Sequence, residues 1–235
     1  IMKVATTTIT IPEDLSEITL GQYQHYIKVC EGLEGDALSQ RTVNVLCDIK
    51  LHDVMMLRLT DIREIEQHLH ALFKMDQELQ TTFKIKAQEF GFITDLEAIS
   101  FGEYVDLDKY MNDWETMHKA MAVLYRPTTK RIDDKYNIIE YEGTEDYADL
   151  MRFMPLDVAL GAMVFFYRLG NELLKTTRSY LLQQTEELMK EQTSANKHNS
   201  IDSGDGTTVS TPSLVETLEH LTMLPEFELP AHLHI

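Results

Sequence analysis

Residues 154–170 read MPLDVALGAMVFFYRLG, and this stretch decides the class of fold. Pro155 suits the first position of a helix, where its missing N–H would have no partner in any case. After it, apolar residues recur with the spacing of an α-helix. We therefore predict that the longest helix of the chain covers residues 155–190.

The predicted long helix carries a 3.5-residue rhythm, which is typical of a seam between packed helices. One half of the seam stays apolar along the helix, whereas the other half changes from Leu156 and Met163 to polar residues. A parallel coiled coil needs apolar residues on both halves, so antiparallel packing within the same chain is favoured. We predict that the distal part of the apolar half binds protein, through Leu174, Leu181 and Leu188.

The most apolar stretch of the chain, residues 158–167, is too short to anchor the protein in a membrane. Arg168, Asn171 and Glu172 follow it directly. A membrane-spanning helix needs about 20 apolar residues. The sequence therefore predicts a buried helix here, and the N-terminus has no pattern of a secretory signal.

A nine-residue phrase occurs twice, as LSEITLGQY at residues 15–23 and as LEAISFGEY at residues 96–104. In each copy a hydroxyl residue precedes Gln or Glu by three positions, the spacing of a capping box. We predict that Thr19, with Gln22, and Ser100, with Glu103, each begin a helix. Two similar helix starts and a duplicated module both fit these residues, because the sequences that follow diverge.

The remaining patterns predict further helices and a few strands. An amphipathic helix is predicted from Thr60, with Ile62, Ile65, Leu69 and Leu72 on one face. A helical pattern at residues 107–125 ends before Pro127, and a polar turn is predicted at residues 128–135. Strands are predicted at residues 3–11, 83–86, 90–93 and 136–141. The predicted fold is mainly α within the α+β class, a helical bundle with one long helix and a small β-sheet.

Composition divides the chain into three predicted parts. Residues 1–190 form a mainly helical globular domain, either as one body or as subdomains 1–89 and 90–190. Residues 191–212 are polar and rich in Ser and Thr, as linkers are. Residues 213–235 begin with a third capping box and form a tethered amphipathic helix and tail. This helix is too short to be stable alone, so we predict that it binds protein through Leu214, Leu218 and Leu221.

Charge limits the classes of partner. The chain has 39 acidic and 21 basic residues, for a formal net charge of −18. Such a chain repels phosphate backbones and anionic lipids, so neither nucleic acid nor a membrane is predicted as a partner. The two cysteines, Cys30 and Cys47, have no CxxC spacing and favour a reducing compartment.

Sequence motifs predict no catalytic, cofactor-binding or metal-binding residue. The chain lacks HExxH, GxGxxG, GxSxG and the Walker lysine motif. Four cations near residue 130 are interpreted as a solvated turn, with a single-anion site as the alternative: Arg126, Lys130, Arg131 and Lys135. We predict a non-enzymatic protein, and the alternative is a small-molecule enzyme whose site has no known motif.

Three segments resemble proteins encoded among the structural genes of tailed bacteriophages: residues 101–108, 119–127 and 154–166. The resemblance implies an assembly chaperone for a tail or other virion protein, acting in the host cytoplasm. A permanent component of the virion is the alternative. Either reading implies other phage structural proteins as partners, and a homo-oligomer is compatible with both. Twelve methionines agree with a protein-binding role, because methionine adapts to irregular apolar surfaces, although most of them are predicted to fill the core.

Overall fold

The computed structural model describes residues 9–132 and 135–195, with helices as the main elements. The helices are α1 Leu20–Cys30, α2 Gly35–Leu46, α3 Leu51–Val54, α4 Leu59–Phe73, α5 Phe101–Tyr110, α6 Met117–Leu124, α7 Ala148–Met151 and α8 Leu156–Ala195. The strands are β1 Thr82–Ile85, β2 Gln88–Phe92, β3 Tyr125–Ile132 and β4 Lys135–Ile138. The predicted mainly helical α+β fold with a small sheet is confirmed.

Two compact units divide the chain. Within the described residues, the first unit ends at Val164 and the second begins at Phe165. The second unit is represented only by α8 residues 165–195. The helix ends at Ala195, five residues beyond its predicted end at residue 190. Residues 196–235, with the predicted terminal helix, lie outside the described part.

Both predicted capping boxes are confirmed. The Thr19 hydroxyl accepts a hydrogen bond from the Gln22 backbone N–H, and the Gln22 side-chain oxygen accepts one from the Thr19 backbone N–H. Ser100 and Glu103 make the same reciprocal pair at the start of α5. Each box satisfies two backbone N–H groups that the first turn of a helix leaves without a partner.

The four strands form an antiparallel meander in the order β1-β2-β3-β4. The first half of β3 pairs with β2, up to Pro127 opposite Phe90, and the second half pairs with β4. The predicted polar turn at residues 128–135 is therefore wrong up to Ile132, because β3 continues there. Proline disfavours the interior of a helix but permits extended backbone, and Pro127 lies where β3 changes partners.

Two other predicted elements also differ from the structure. The helical pattern at residues 107–125 is divided, because α5 ends at Tyr110 and α6 begins only at Met117. Between them the Asp113 carboxylate accepts from the Glu115 N–H, a local bond that competes with helix. Of the predicted N-terminal strand, residues 9–11 are not in a strand and the rest lie outside the described residues.

The first turns of α8 belong to the core. Leu156, Val158, Leu160 and Met163 are each at most 4% exposed, whereas residues 164–167 are half-buried. The predicted burial therefore holds as far as Met163. Across the described residues, no helix combines the length and the apolar content that crossing a membrane requires.

The connection from α4 to β1 crosses the beginning of α8. The Gln80 carbonyl accepts from the Tyr125 hydroxyl at 2.7 Å, and the Gln80 side chain donates to Asp157 at 2.6 Å. The Glu78 carbonyl lies against Gly161, where a Cβ atom would be 2.2 Å from its oxygen. A glycine is required at this close approach.

His118 on α6 joins three elements of the first unit. It is 3% exposed; Arg152 donates to its Nε2 at 3.1 Å, and the Gln24 side-chain nitrogen lies 3.1 Å from its Nδ1. Burial, together with the Arg152 charge, lowers the pKa of His118 from 6.5 to about 4. The folded chain therefore holds this imidazole neutral.

We expect the free energy of unfolding to fall as the pH drops from 6.5 towards 4. In that range the unfolded chain binds a proton at His118 and the folded chain does not, so protonation favours unfolding. Between pH 7 and pH 4.5 this site should account for a loss of about 2 kcal/mol. Urea unfolding at both pH values measures it: His118→Gln should remove that part of the loss, whereas the exposed His25→Gln should not. Equal pH dependence in His118→Gln and the unsubstituted chain would contradict the assignment.

Candidate functional site

An apolar groove lies where α2, α3 and α4 meet, and we call it the α3–α4 groove. The chain turns sharply between α3 and α4, so Val54 enters the core while the residues after it stay at the surface. The groove has a volume of about 200 Å³ and is lined by Asp36, Ser39, Gln40, Val54, Met55, Leu57, Leu59 and Ile62.

Large apolar side chains at the α3–α4 groove are open to solvent. Met55 is 59% exposed and Leu59 is 55% exposed, and Met56 beside them is 74% exposed. Single exposed apolar residues are ordinary on protein surfaces, but a contiguous group around a concave site marks a binding surface. The sequence signal for it was the run Met55-Met56-Leu57 in a connection between helices.

The surroundings of the α3–α4 groove are acidic. Residues 31–66, which include all of its lining, contain eight acidic and four basic residues, a net charge of −4. One of the four cations, Arg58, is held by both oxygens of Asp61, at 2.7 and 3.0 Å. Asp36 lies in the groove itself and is exposed. The groove therefore combines apolar walls with one exposed carboxylate, in a segment of the chain that carries a net negative charge.

A second concavity, which we call the Arg126 pocket, lies between α6, the start of β3 and the turn that follows β4. Its volume is about 260 Å³, and it is lined by Ala122, Arg126, Ile139, Glu140, Tyr141, Glu142, Gly143, Asp146 and Tyr147. Ala122 and Arg126 are buried and close its inner end. The three carboxylates among the lining residues are exposed.

Arg126 is held by a buried ion pair. Its Nη2 lies 2.7 Å from Glu103 Oε1, with both side chains at least 90% buried. The guanidinium carbon lies 5.8 Å from the centre of the Tyr141 ring. The Tyr141 hydroxyl donates to Asp106; burial first, and then this bond and the Asp106 charge, raise the pKa of Tyr141.

One face of α5 presents apolar side chains to solvent. Phe101, Tyr104 and Val105 are 81%, 57% and 43% exposed. Their spacing of three and four residues places them on the same side of the helix. The opposite side, with Glu103 and Leu107, is buried.

The predicted protein-binding leucines lie elsewhere. Leu174 and Leu181 are half-buried on the part of α8 in the second unit, and Leu188 is helical. Leu214, Leu218 and Leu221 lie outside the described residues. Sequence reasoning missed the α3–α4 groove, the Arg126 pocket and the outer face of α5.

The four cations predicted to lie on a solvated turn near residue 130 lie on strands instead, and two of them are paired with glutamates. Arg126 is buried against Glu103, and Arg131 lies 2.9 Å from Glu89. All the cationic positions fall on β3 and β4 rather than on one loop. Strand pairing is what the sequence reading of this segment overlooked.

The described part of the chain contains neither a group of side chains arranged to bind a metal ion nor a thiol with a lowered pKa. In residues 9–132 and 135–195, no group of three or more His, Cys, Asp or Glu side chains is arranged to hold a metal ion. Burial raises the pKa of the Cys47 thiol to about 11 and also raises that of Cys30. Neither thiol is therefore poised as a thiolate nucleophile at neutral pH.

Comparison with known proteins adds no relative. No family model, no curated protein and no solved structure matches this chain. The resemblance to phage structural and assembly proteins stays a prediction. Function is therefore argued from the surfaces themselves.

Proposed function

We propose that this chain is a non-enzymatic protein-binding factor that holds a client protein through the α3–α4 groove. The observation that carries the proposal is the exposure of Met55 and Leu59 on an apolar concavity. A client that covers these side chains would remove apolar surface from water, and each Å² buried stabilises the complex by roughly 25 cal/mol. Methionine side chains also adjust to partners of different shape.

The occupant that the groove fits is an amphipathic helix with basic residues beside its apolar face. Apolar grooves formed by helices accept helices through residues at i, i+3, i+4 and i+7. The net charge of −4 over residues 31–66 attracts Lys and Arg on the flanks of such a helix.

Charge argues against two other occupants of the groove, the C-terminal residues of this chain and a second copy of the chain. Residues 213–235 of this chain contain four glutamates and no Lys or Arg, so their negative charge would face the negative groove. A second copy of the chain would bring another net charge of −18. Like charges across an interface suppress association, which leaves a basic client as the better match.

For the biological setting we propose tailed-phage morphogenesis, with the client being a tail or other virion protein. This part rests on the resemblance of residues 101–108, 119–127 and 154–166 to proteins of phage structural gene blocks. The acidic surface agrees with transient holding, because electrostatic attraction speeds association without requiring a tight complex. A permanent virion component is the alternative.

A designed peptide tests the groove directly. We expect an 18-residue helix with Leu on one face and Lys on the other to bind the full chain with micromolar affinity, measured by fluorescence anisotropy. Met55→Lys should weaken binding about tenfold or more, because it removes an apolar contact and adds a repelling charge. The matched control is Met75→Lys, since Met75 is also exposed but does not line the groove.

Two outcomes would refute the binding proposal. One is equal affinity for a peptide in which Glu replaces every Lys, and the other is equal weakening by the two Met→Lys variants. The phage setting has its own test, the protein composition of purified particles of the phage that encodes the chain. An assembly factor is absent from mature particles, whereas a virion component is present in a fixed copy number.

A further inference from the structure

The Arg126 pocket presents both kinds of hydrogen-bonding group to whatever enters it. Arg126 at its inner end is 8% exposed and uses one N–H group on Glu103. Its Nε is buried and has no hydrogen-bond partner in the part of the chain that the structure describes. A buried donor without an acceptor costs about 1–3 kcal/mol. Because Arg126 lines the pocket, a ligand that offers an acceptor to its guanidinium would remove this cost.

The rest of the pocket offers acceptors. Glu140, Glu142 and Asp146 are exposed carboxylates on its lining, and among the described residues none of the three forms an ion pair. Carboxylates accept hydrogen bonds and donate none. This side of the pocket therefore favours N–H donors.

Two tyrosine rings are among the lining of the pocket. Tyr141 is fixed by its hydroxyl bond to Asp106, and Tyr147 by an edge contact with Phe90 at 6.1 Å between ring centres. Both tyrosines are half-buried and line the pocket. Flat faces of this kind suit a planar group.

The charges of the pocket argue against a simple anion or cation as its ligand. An anion would meet three carboxylates with no free countercharge, because Glu103 already neutralises Arg126. A cation that reached the inner end would face the guanidinium and would leave the Nε–H without an acceptor. What remains is a neutral group with an acceptor on one side and N–H donors on the other.

We infer that the Arg126 pocket binds a primary carboxamide, with its oxygen accepting from Arg126 and its NH2 group donating to the carboxylates. A carboxamide is planar and neutral, and it carries one acceptor and two donor hydrogens on adjacent atoms. The pocket volume of about 260 Å³ accommodates an Asn or Gln side chain. Such a side chain on a partner protein is the source that we assign, which rests on the proposed protein-binding function. A free small-molecule amide has the same chemistry.

A series of capped tripeptides, acetyl-Gly-X-Gly-amide, tests the assignment on the full chain. X is Gln, Glu, Lys or norleucine, and binding is followed by NMR shifts of the backbone amides of residues 139–147. We expect the Gln peptide to bind with a Kd on the order of 1 mM, and the other three at least fivefold more weakly. Propionamide, the free amide, should bind more weakly than the Gln peptide.

Variants locate the site. Asp146→Ala and Glu142→Ala should each weaken binding of the Gln peptide about threefold or more, because each removes an acceptor from the lining. Glu145→Ala is the matched control, since Glu145 lies in the same turn, is exposed and does not line the pocket. Met55→Lys in the α3–α4 groove should leave binding of the Gln peptide unchanged, so failure of the groove proposal and failure of this one are distinguishable.

Several results would overturn the inference. A preference for the Lys peptide would make the pocket a cation site, and a preference for the Glu peptide would make it an anion site. Equal binding of norleucine and Gln would show that the side-chain amide contributes nothing. Tighter binding of propionamide than of the Gln peptide would overturn the assignment of a protein side chain as the source.

Discussion

Gly161→Ala should destabilise the protein by roughly 2 kcal/mol or more, although alanine is the better helix former. A Cβ atom at Gly161 would lie 2.2 Å from the Glu78 carbonyl oxygen and 2.9 Å from its carbon, both backbone atoms. The gain in helix propensity is about 1 kcal/mol, whereas forced overpacking against backbone costs about 1–3 kcal/mol and occasionally more. At this distance the steric cost wins.

Gly102→Ala is the matched control for that substitution. Gly102 also lies inside a helix, but its added Cβ would have no neighbour closer than 3.8 Å. We expect Gly102→Ala to raise the free energy of unfolding by about 0.5–1 kcal/mol. Urea unfolding of both variants measures the difference, and a stable Gly161→Ala protein would show that the α4–β1 connection can move away from α8.

Arg126→Met should cost about 3–5 kcal/mol, because it leaves the Glu103 carboxylate buried without its countercharge. One hydrogen bond to the Glu103 carboxylate should remain in this variant, since its second oxygen accepts from the Ser100 N–H at 2.6 Å. Urea unfolding at neutral pH measures this loss in the free energy of unfolding. The double variant Arg126→Met, Glu103→Gln should recover part of it, since the remaining buried group is then neutral.

The control for Arg126→Met is Arg131→Met on the same strand. The Arg131–Glu89 pair has a similar distance, 2.9 Å, but the Arg131 side chain is 48% exposed. Exposed ion pairs contribute up to about 1 kcal/mol, so this substitution should have a small effect. If both variants lost the same stability, burial would not be what makes the Arg126 pair important.

The features that sequence predicted well are those set by neighbours in the chain. The Thr19 and Ser100 caps depend on residues three positions apart, and the structure contains both bonds. The buried face of α4 follows from helical spacing: Ile65, Leu69 and Leu72 are at most 6% exposed. Local geometry fixes these features whatever the rest of the chain does.

The features that sequence missed depend on distant contacts. The helix before Pro127 ends as predicted, at Leu124, but the pairing of β3 with residues 90–92 keeps the backbone extended where a turn was expected. The α3–α4 groove exists only because helices that are separate in sequence meet there, and the exposure of Met55 cannot be deduced from its hydrophobicity. The ion pair of Arg126 and Glu103 joins residues 23 positions apart, a separation that helical or strand spacing does not predict.

The α4–β1 connection has a consequence for how this protein opens. An exposed stretch without regular structure is normally where local unfolding starts and where proteases cut. Here the Gln80 carbonyl is bonded to Tyr125, the Gln80 side chain to Asp157, and the Glu78 carbonyl lies against Gly161. Local unfolding of residues 75–81 therefore requires separating them from both β3, which contains Tyr125, and the buried start of α8. Proteases should therefore cut this connection only through the large-scale opening that also exposes the core, and the connection belongs to the cooperative unit of the core rather than to a flexible hinge.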